Sequence, residues 1–175
     1  MRDYSADAAA ASKPGIRIEI PGFGRLELRR LVSDFSGTLS KAGKFTPGVQ
    51  ERLLRLGELI EIHILTSDTF GTVRDEFVNI PVHLEVLAHA NHHLQKRDYL
   101  RERCDPARTA AFGNGANDRL LLQAAKEAGG LAVAVDNGEG CAVETILGAN
   151  LLIAGAANAL DLLLDPNRLK ASLRF

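Results

Sequence analysis

The chain has 175 residues, 46% of them hydrophobic and 25% charged, with a formal net charge of −1 at pH 7. That length suits one domain and a genuine core, with roughly 70% of the extended chain's surface available for burial. The balanced charge, with a pI near 6.5, excludes the broad basic field of a nucleic-acid binder. Its longest apolar run, Ile146 to Leu160, is broken by Asn and Gly and is too short to span a bilayer. Two cysteines, Cys104 and Cys141, make no disulfide framework and lack the CxxC spacing of zinc or redox sites.

The opening stretch MRDYSADAAAASKPG has one Arg, two Asp and no leucine-rich segment, which makes it a poor secretory signal. It reads as a mobile tail over 1–14 ahead of a single domain over 15–175, in a cytosolic compartment.

Ile16 to Ile20 alternates Ile with Arg and Glu, the two-residue period of a half-exposed strand. Pro21-Gly22-Phe23-Gly24 is turn chemistry and Leu26-Glu27-Leu28 resumes the alternation, so an N-terminal β-hairpin is expected. Leu31 to Phe35 reads as a buried strand entering a Gly-containing loop. Thr46 and Pro47 fit the cap and first turn of a helix with Val49, Leu53, Leu54 and Leu56 on its apolar face.

Ile60 to Leu65 is the next strand, followed by a short helix through Val73 and Phe77 and a strand from Val82 to Leu87. His92 to Arg103 is a polar helix, and Thr109 to Phe112 is a strand. Gly113-Asn114-Gly115 opens a helix through Leu120, Leu121, Leu122 and Ala125. Leu131 to Val135, Cys141 to Leu147, Asn150 to Ile153 and Ala156 to Leu164 continue as strand, helix, strand and helix. The expected architecture is therefore α/β, a Rossmann-like three-layer sandwich around a mostly parallel sheet of five or six strands. Ligands in such sheets bind beyond the carboxyl ends of the strands, at the topological switch point.

Four strand ends carry polar groups. Asp34, in Asp-Phe-Ser-Gly-Thr-Leu, closes a buried strand, where a carboxylate needs a cation or hydrogen-bond donors. Thr66-Ser67-Asp68 follows the second core strand, Lys96 lies on the polar helix, and Gly-Asn-Gly-Ala-Asn-Asp spans Gly113 to Asp118. Taken singly, each has an ordinary structural reading as a cap, a turn or a solvated lysine. Together they supply a nucleophile, donors to phosphoryl oxygens, a cation and a metal-binding carboxylate, the requirements of phosphoryl transfer.

These residues resemble the four motifs of the haloacid dehalogenase (HAD) superfamily, over roughly Leu31 to Leu164. In detail the chain is similar to the soluble relatives of the P-type ATPase phosphorylation domain. Those carry Asp-Lys-Thr-Gly-Thr, Thr-Gly-Asp and Gly-Asp-Gly-x-Asn-Asp.

The resemblance implies a Mg²⁺-dependent phosphohydrolase that forms an aspartyl-phosphate on Asp34. Mg²⁺ would be held by Asp34, the Ser36 carbonyl and the last motif, through Asp118 or the Asn114 amide oxygen. Thr66, Ser67, Lys96 and Gly37 would bind the phosphoryl group. Two positions depart from the family pattern. Ser36 stands where HAD phosphatases carry an acid–base Asp, so slow hydrolysis is expected. Asn114 stands where they carry a metal-binding Asp, so Mg²⁺ affinity should be weakened. A weak phosphate-binding or regulatory pseudoenzyme of the same fold is the alternative.

Neither the Asp34–Thr66 gap nor the Asp68–Lys96 gap has room for a cap domain. Capless relatives act on large substrates or close their sites by forming homo-oligomers, and the sequence leaves both open. The expected partner is a phosphorylated small molecule or macromolecule, with neither nucleic acid nor membrane. A receiver domain also uses Asp, Thr or Ser, and Lys at strand ends, but its phosphorylated Asp closes the third strand. The histidines His83, His89, His92 and His93 lack a carboxylate partner and read as solvated or weakly structural rather than as a metal site. Arg119 reads as a salt-bridge partner for Asp118, and the two cysteines as small core residues.

Overall fold

A computed structural model describes residues 13–67, 73–88 and 90–175. Residues 1–12, which hold most of the expected tail, lie outside the described residues, as do Asp68 and His89.

Strands β1 (Ile16–Ile20) and β2 (Gly24–Leu28) form the expected antiparallel hairpin, a two-stranded sheet of its own. Strict alternation turns Ile16, Ile18 and Ile20 inward, where they join the main core with Leu26 and Leu28. The chain then enters β3 (Arg30–Asp34), whose five residues are all buried.

A small hairpin of β4 (Ser40–Lys41) and β5 (Lys44–Phe45) follows β3 and was not expected from the sequence. It leads to helix α1 (Val49–Gly57). That helix starts later than Thr46 and Pro47 suggested, because Gly48 takes a left-handed φ of 80° as its cap residue. Leu54 also departs from expectation: it is 41% exposed while Val49, Leu53 and Leu56 face inward.

Next come β6 (Glu61–Thr66), the short α2 (Val73–Glu76) and β7 (His83–Val86). Helix α3 spans His92–Arg103, as its polar pattern predicted. Strand β8 (Thr109–Gly113) ends in a 3₁₀ turn, Ala116–Asp118, before α4 (Arg119–Glu127), so the Gly-rich segment does not enter the helix directly. The rest is β9 (Leu131–Asp136), α5 (Val143–Gly148), β10 (Leu151–Ala154), α6 (Ala156–Leu164) and a further C-terminal helix, α7 (Asn167–Leu173).

The central sheet has six parallel strands in the order β10-β9-β8-β3-β6-β7. The chain builds outward from β3 through β6 to β7, then returns to place β8 on the other side of β3. That reversal makes the switch point fall between β3 and β8. One apolar layer joins the hairpin, α1 and α6 to one face through Leu31, Ile62, Ile64 and Phe112. A second joins α3 and α4 to the other face through Val32, Leu65, Leu100 and Leu121. The described elements between β3 and β6 are only the β4–β5 hairpin and α1, and between β6 and β7 only α2.

Among the described residues no helix is long and apolar enough to cross a membrane.

Candidate active site

Side chains alternate along β3, so Asp34 points to the same face as Val32, towards α3. The register sets Asp34 opposite Leu65, one step short of Thr66, and places Gly113 on the far side at the same level, next after the Ser33–Phe112 pair. Asp34, Thr66 and the 113–118 segment thus meet at the carboxyl edge on either side of the switch point. Thr66 is buried there and Ser67 half-buried beyond it.

Lys96 is the least expected of these side chains in its surroundings. On a helix that reads as polar, it is 1% exposed, and its Nζ donates to Asp34 Oδ1 at 2.7 Å and to Asp118 Oδ1 at 2.6 Å. Asp118 is also fully buried, and its Oδ2 accepts from the backbone N–H groups of Asn114, at 3.0 Å, and Gly115, at 2.9 Å. Both Asp118 oxygens are thereby engaged, and its cation is Lys96. The expected Arg119 pairing is replaced because Arg119 opens α4 on the exposed side.

Close approach dictates two glycines. A Cβ on Gly113 would stand 2.4 Å from Asp118 Cβ. Gly37, at φ +78°, would set a Cβ 2.5 Å from Asn114 Nδ2.

Thr38 is a member that motif reading passed over. Its Oγ1 lies 3.2 Å from Asp34 Oδ2 and 3.1 Å from Asn114 Oδ1. One hydroxyl proton cannot serve both oxygens, so this corner holds more acceptors than donors. Its position two residues beyond Ser36 was the available signal. Asn114 is oriented by its amide, which donates to Gly140 O at 3.2 Å. Ser36 is half-buried in the loop between Asp34 and Thr38.

The buried trio of Asp34, Lys96 and Asp118 has two negative charges against one positive. Burial pushes the Asp34 carboxyl up to about 6; Lys96 pulls it down, and the negative Asp118 adds to the rise. Burial alone would lower the Lys96 ammonium, but the Asp118 and Asp34 carboxylates outweigh it and hold it above its usual range. Excess negative charge beside two oxygens that compete for one proton is an environment that fits a small hard cation. The ligands it offers are all oxygens: the Asp34 carboxylate, whose Oδ2 shares the Thr38 hydroxyl, and the Asn114 amide oxygen. No group of three or more His, Cys, Asp or Glu side chains gathers around a metal position among the described residues.

The hairpin beside the site is fastened at both ends. Glu76 accepts from Lys44 Nζ at 2.7 Å and from the Phe45 N–H at 3.0 Å. Phe45 meets the rings of Phe35 and Phe77 at 5.7 and 4.9 Å, and Glu139 Oε1 accepts from the Ala42 N–H at 3.2 Å.

A second polar group that the sequence did not signal lies on the same face at the amino ends of the strands. Arg30 pairs with Glu61 at 2.9 Å, and His63 Nδ1 meets Tyr99 OH at 2.9 Å. His83 is exposed and stacks on His63 at 4.6 Å. Cys104 and Cys141 are half-buried against the α3-side core.

No family model matches the chain. Over 64 residues it is 45% identical to an uncharacterized protein of Methanocaldococcus jannaschii, a match covering 37% of this chain and 64% of that protein. Among solved structures, it is similar to 3-deoxy-D-manno-octulosonate 8-phosphate phosphatase from Moraxella catarrhalis, in complex with magnesium, phosphate and KDO. The TM-score is 0.59 at 13% identity, over 82% of this chain and 90% of that one. The cobalt-bound form of the corresponding Haemophilus influenzae phosphatase matches at TM-score 0.58 and 14% identity, over 82% and 91% of the two chains. A haloacid dehalogenase-like hydrolase of Streptococcus pneumoniae matches at 0.54 and 12%, over 77% and 97%.

The chain has the haloacid dehalogenase fold. In this HAD-like sheet Asp34 closes β3, Thr66 and the 113–118 segment lie at the same carboxyl edge, and Lys96 reaches it from α3.

Proposed function

We propose that the protein is a phosphohydrolase that cleaves a phosphomonoester through an aspartyl-phosphate on Asp34. The observation that carries this reading is the clamping of Asp34 Oδ1 by the Lys96 ammonium while Oδ2 faces the Thr38 hydroxyl, which also meets Asn114 Oδ1. An oriented, buried carboxylate is a competent nucleophile, and a buried ammonium beside it attracts the phosphoryl dianion. Thr66 and Ser67 would donate to the phosphoryl oxygens, whereas the Gly37 N–H, expected to join them, already donates to the Ser40 carbonyl at 3.1 Å. Asp118 fixes the ammonium rather than touching the substrate.

The Asp34 carboxylate, the Asn114 amide oxygen and the Ser36 carbonyl would hold Mg²⁺, with Asp118 taken by Lys96. When bound, Mg²⁺ neutralises charge on the phosphoryl oxygens. One carboxylate instead of two predicts weak metal binding. The resemblance of the Asp34 and Thr66 segments to P-type ATPase phosphorylation domains supports the roles given to Asp34 and Thr66. With no cap segment among the described residues, the partner is a phosphomonoester reached from an open edge. A macromolecular ester, or a site closed by a second copy, suits that edge, and a cytosolic setting agrees with the two cysteines.

The loss of both carboxylates, at Ser36 and Asn114, favours a second reading as a phosphate-binding module without turnover. Asp34→Asn separates the two. Phosphate release from an aryl phosphate with Mg²⁺ should disappear in the variant while its far-UV circular dichroism is unchanged. No release from the wild type, with phosphate still bound, identifies the binding module.

A further inference from the structure

The helix that delivers Lys96 carries another polar side chain on the same stripe. Lys96 and Leu100 are the buried positions of α3. His92 lies on that line one turn earlier, since residues four apart share a helix face. Its ring is half-buried, yet Nε2 is closed to solvent and has no hydrogen-bond partner. A shielded ring nitrogen without a partner is a standing cost, and in a site it marks a position where a ligand completes the bond. The other side-chain atoms in this condition among the described residues have different settings. Glu61 Oε1 and His63 Nε2 belong to the Arg30 group at the amino ends of the strands, and the Asn137 side chain already accepts from the Ala156 N–H.

Position along α3 gives His92 its meaning. The helix follows β7 and so starts at the carboxyl edge of the sheet, running back along it. Lys96 already reaches Asp34 from its second turn. Helical side chains all lean towards the N-terminus, so His92 follows Lys96 on the side of α3 that meets the sheet, one turn farther out towards the carboxyl edge. In an in-line displacement that outer side is where the leaving group departs. Ser36, with no carboxyl group, cannot give that group a proton.

The geometry points to His92 as the acid–base residue of phosphoryl transfer, acting from Nε2 on the leaving oxygen. This rests on Asp34 being the nucleophile. In the first step an Asp34 oxygen bonds to phosphorus and the bond from phosphorus to the ester oxygen breaks. The departing oxygen keeps the bonding pair and takes the Nε2 proton. In the second step a water oxygen bonds to phosphorus, the Asp34–phosphorus bond breaks and its pair returns to the carboxylate. The water proton passes to Nε2, which restores the starting state.

The test compares leaving groups in single-turnover reactions of wild type and His92→Gln with Mg²⁺. A primary alkyl phosphate needs a proton on departure, and 4-nitrophenyl phosphate does not. His92→Gln should slow the alkyl ester by about 10²-fold or more, in the range of general-acid catalysis, and leave the first turnover of the aryl ester nearly unchanged. Orthovanadate binding by calorimetry should also be nearly unchanged. Because the two esters are compared on one preparation, their ratio does not depend on how much of the variant folds. Equal losses with both esters, or no loss with either, overturn the role of His92. Asp34→Asn run alongside keeps the two readings apart: residual turnover there refutes the nucleophile, whereas inactive Asp34→Asn with unaffected His92→Gln refutes His92 alone.

Discussion

Lys96 Nζ donates to Asp34 Oδ1 at 2.7 Å across 62 residues of sequence, and both groups are almost wholly out of solvent. A buried ion pair of this kind contributes little by itself, because desolvation offsets much of the attraction. Removing one member is a different matter, since it leaves the others charged and unpaired. Here the ammonium serves two carboxylates, so its loss is felt twice.

Lys96→Met should therefore destabilise the fold by about 3–5 kcal/mol, the cost typical of breaking a buried pair. Urea unfolding followed by circular dichroism measures it. A change below about 1 kcal/mol would mean that the carboxylates take up protons or find other donors at little cost.

Asn114→Asp should act in opposite directions with and without metal. A new carboxylate across Thr38 from Asp34 adds to the excess negative charge of the buried trio. The metal-free variant should melt lower than the wild type. With Mg²⁺ the same carboxylate becomes a charged ligand, and affinity should rise about tenfold or more, equivalent to about 1.4 kcal/mol. Thermal midpoints over a Mg²⁺ titration give both effects. A variant that melts lower at every Mg²⁺ concentration would place the metal away from Asn114.

The fold was legible because its signals are local. Alternation in Ile16–Ile20, the buried run before Asp34 and the polar α3 each declare themselves within a few residues. The site was legible as a list of strand ends, since parallel strands must gather those ends at one edge. What the sequence could not supply was partnership. Asp118 reads equally well as a metal ligand, and only the meeting of α3 with the turn before α4 shows Lys96 taking one of its oxygens. Thr38 was hidden for a similar reason, as its two partners lie on different elements, one of them 76 residues away. The β4–β5 hairpin escaped notice because two-residue strands carry no periodicity.

His63 makes a pH prediction for stability rather than for catalysis. Burial lowers the His63 ring from 6.5 to about 3, helped by neighbouring His83, Arg30 and Lys13, so the folded protein holds it neutral. In the unfolded chain the ring takes up a proton near its ordinary value. Between those two values the unfolded state binds more protons, so stability falls as pH is lowered from about 6.5 towards 3. The slope is at most about 1.4 kcal/mol per pH unit. His63→Gln should flatten the pH dependence of the urea midpoint in that window. An unchanged slope would assign the acid sensitivity to other groups.

The last prediction concerns Ser36 and the order of the two chemical steps. Departure of 4-nitrophenolate needs no acid, whereas hydrolysis of the aspartyl-phosphate needs a base to take the proton of water. His92→Gln should therefore load Asp34 quickly from this ester and unload it slowly. A rapid-quench experiment should show a burst of nitrophenolate, of up to one equivalent per site, ahead of a slow steady state. Ser36 is half-buried in the loop two residues after Asp34, the position at which the resemblance places an acid–base carboxylate. Ser36→Asp in the His92→Gln background should abolish the burst and raise steady turnover, by up to the roughly 10²–10⁴ that a positioned acid–base group provides. In the wild-type background the gain should be much smaller, because His92 already does that work. Two groups serving one proton are expected to be non-additive, and the four proteins form the cycle that measures it. Equal gains from Ser36→Asp in both backgrounds would show that the two positions act on separate steps.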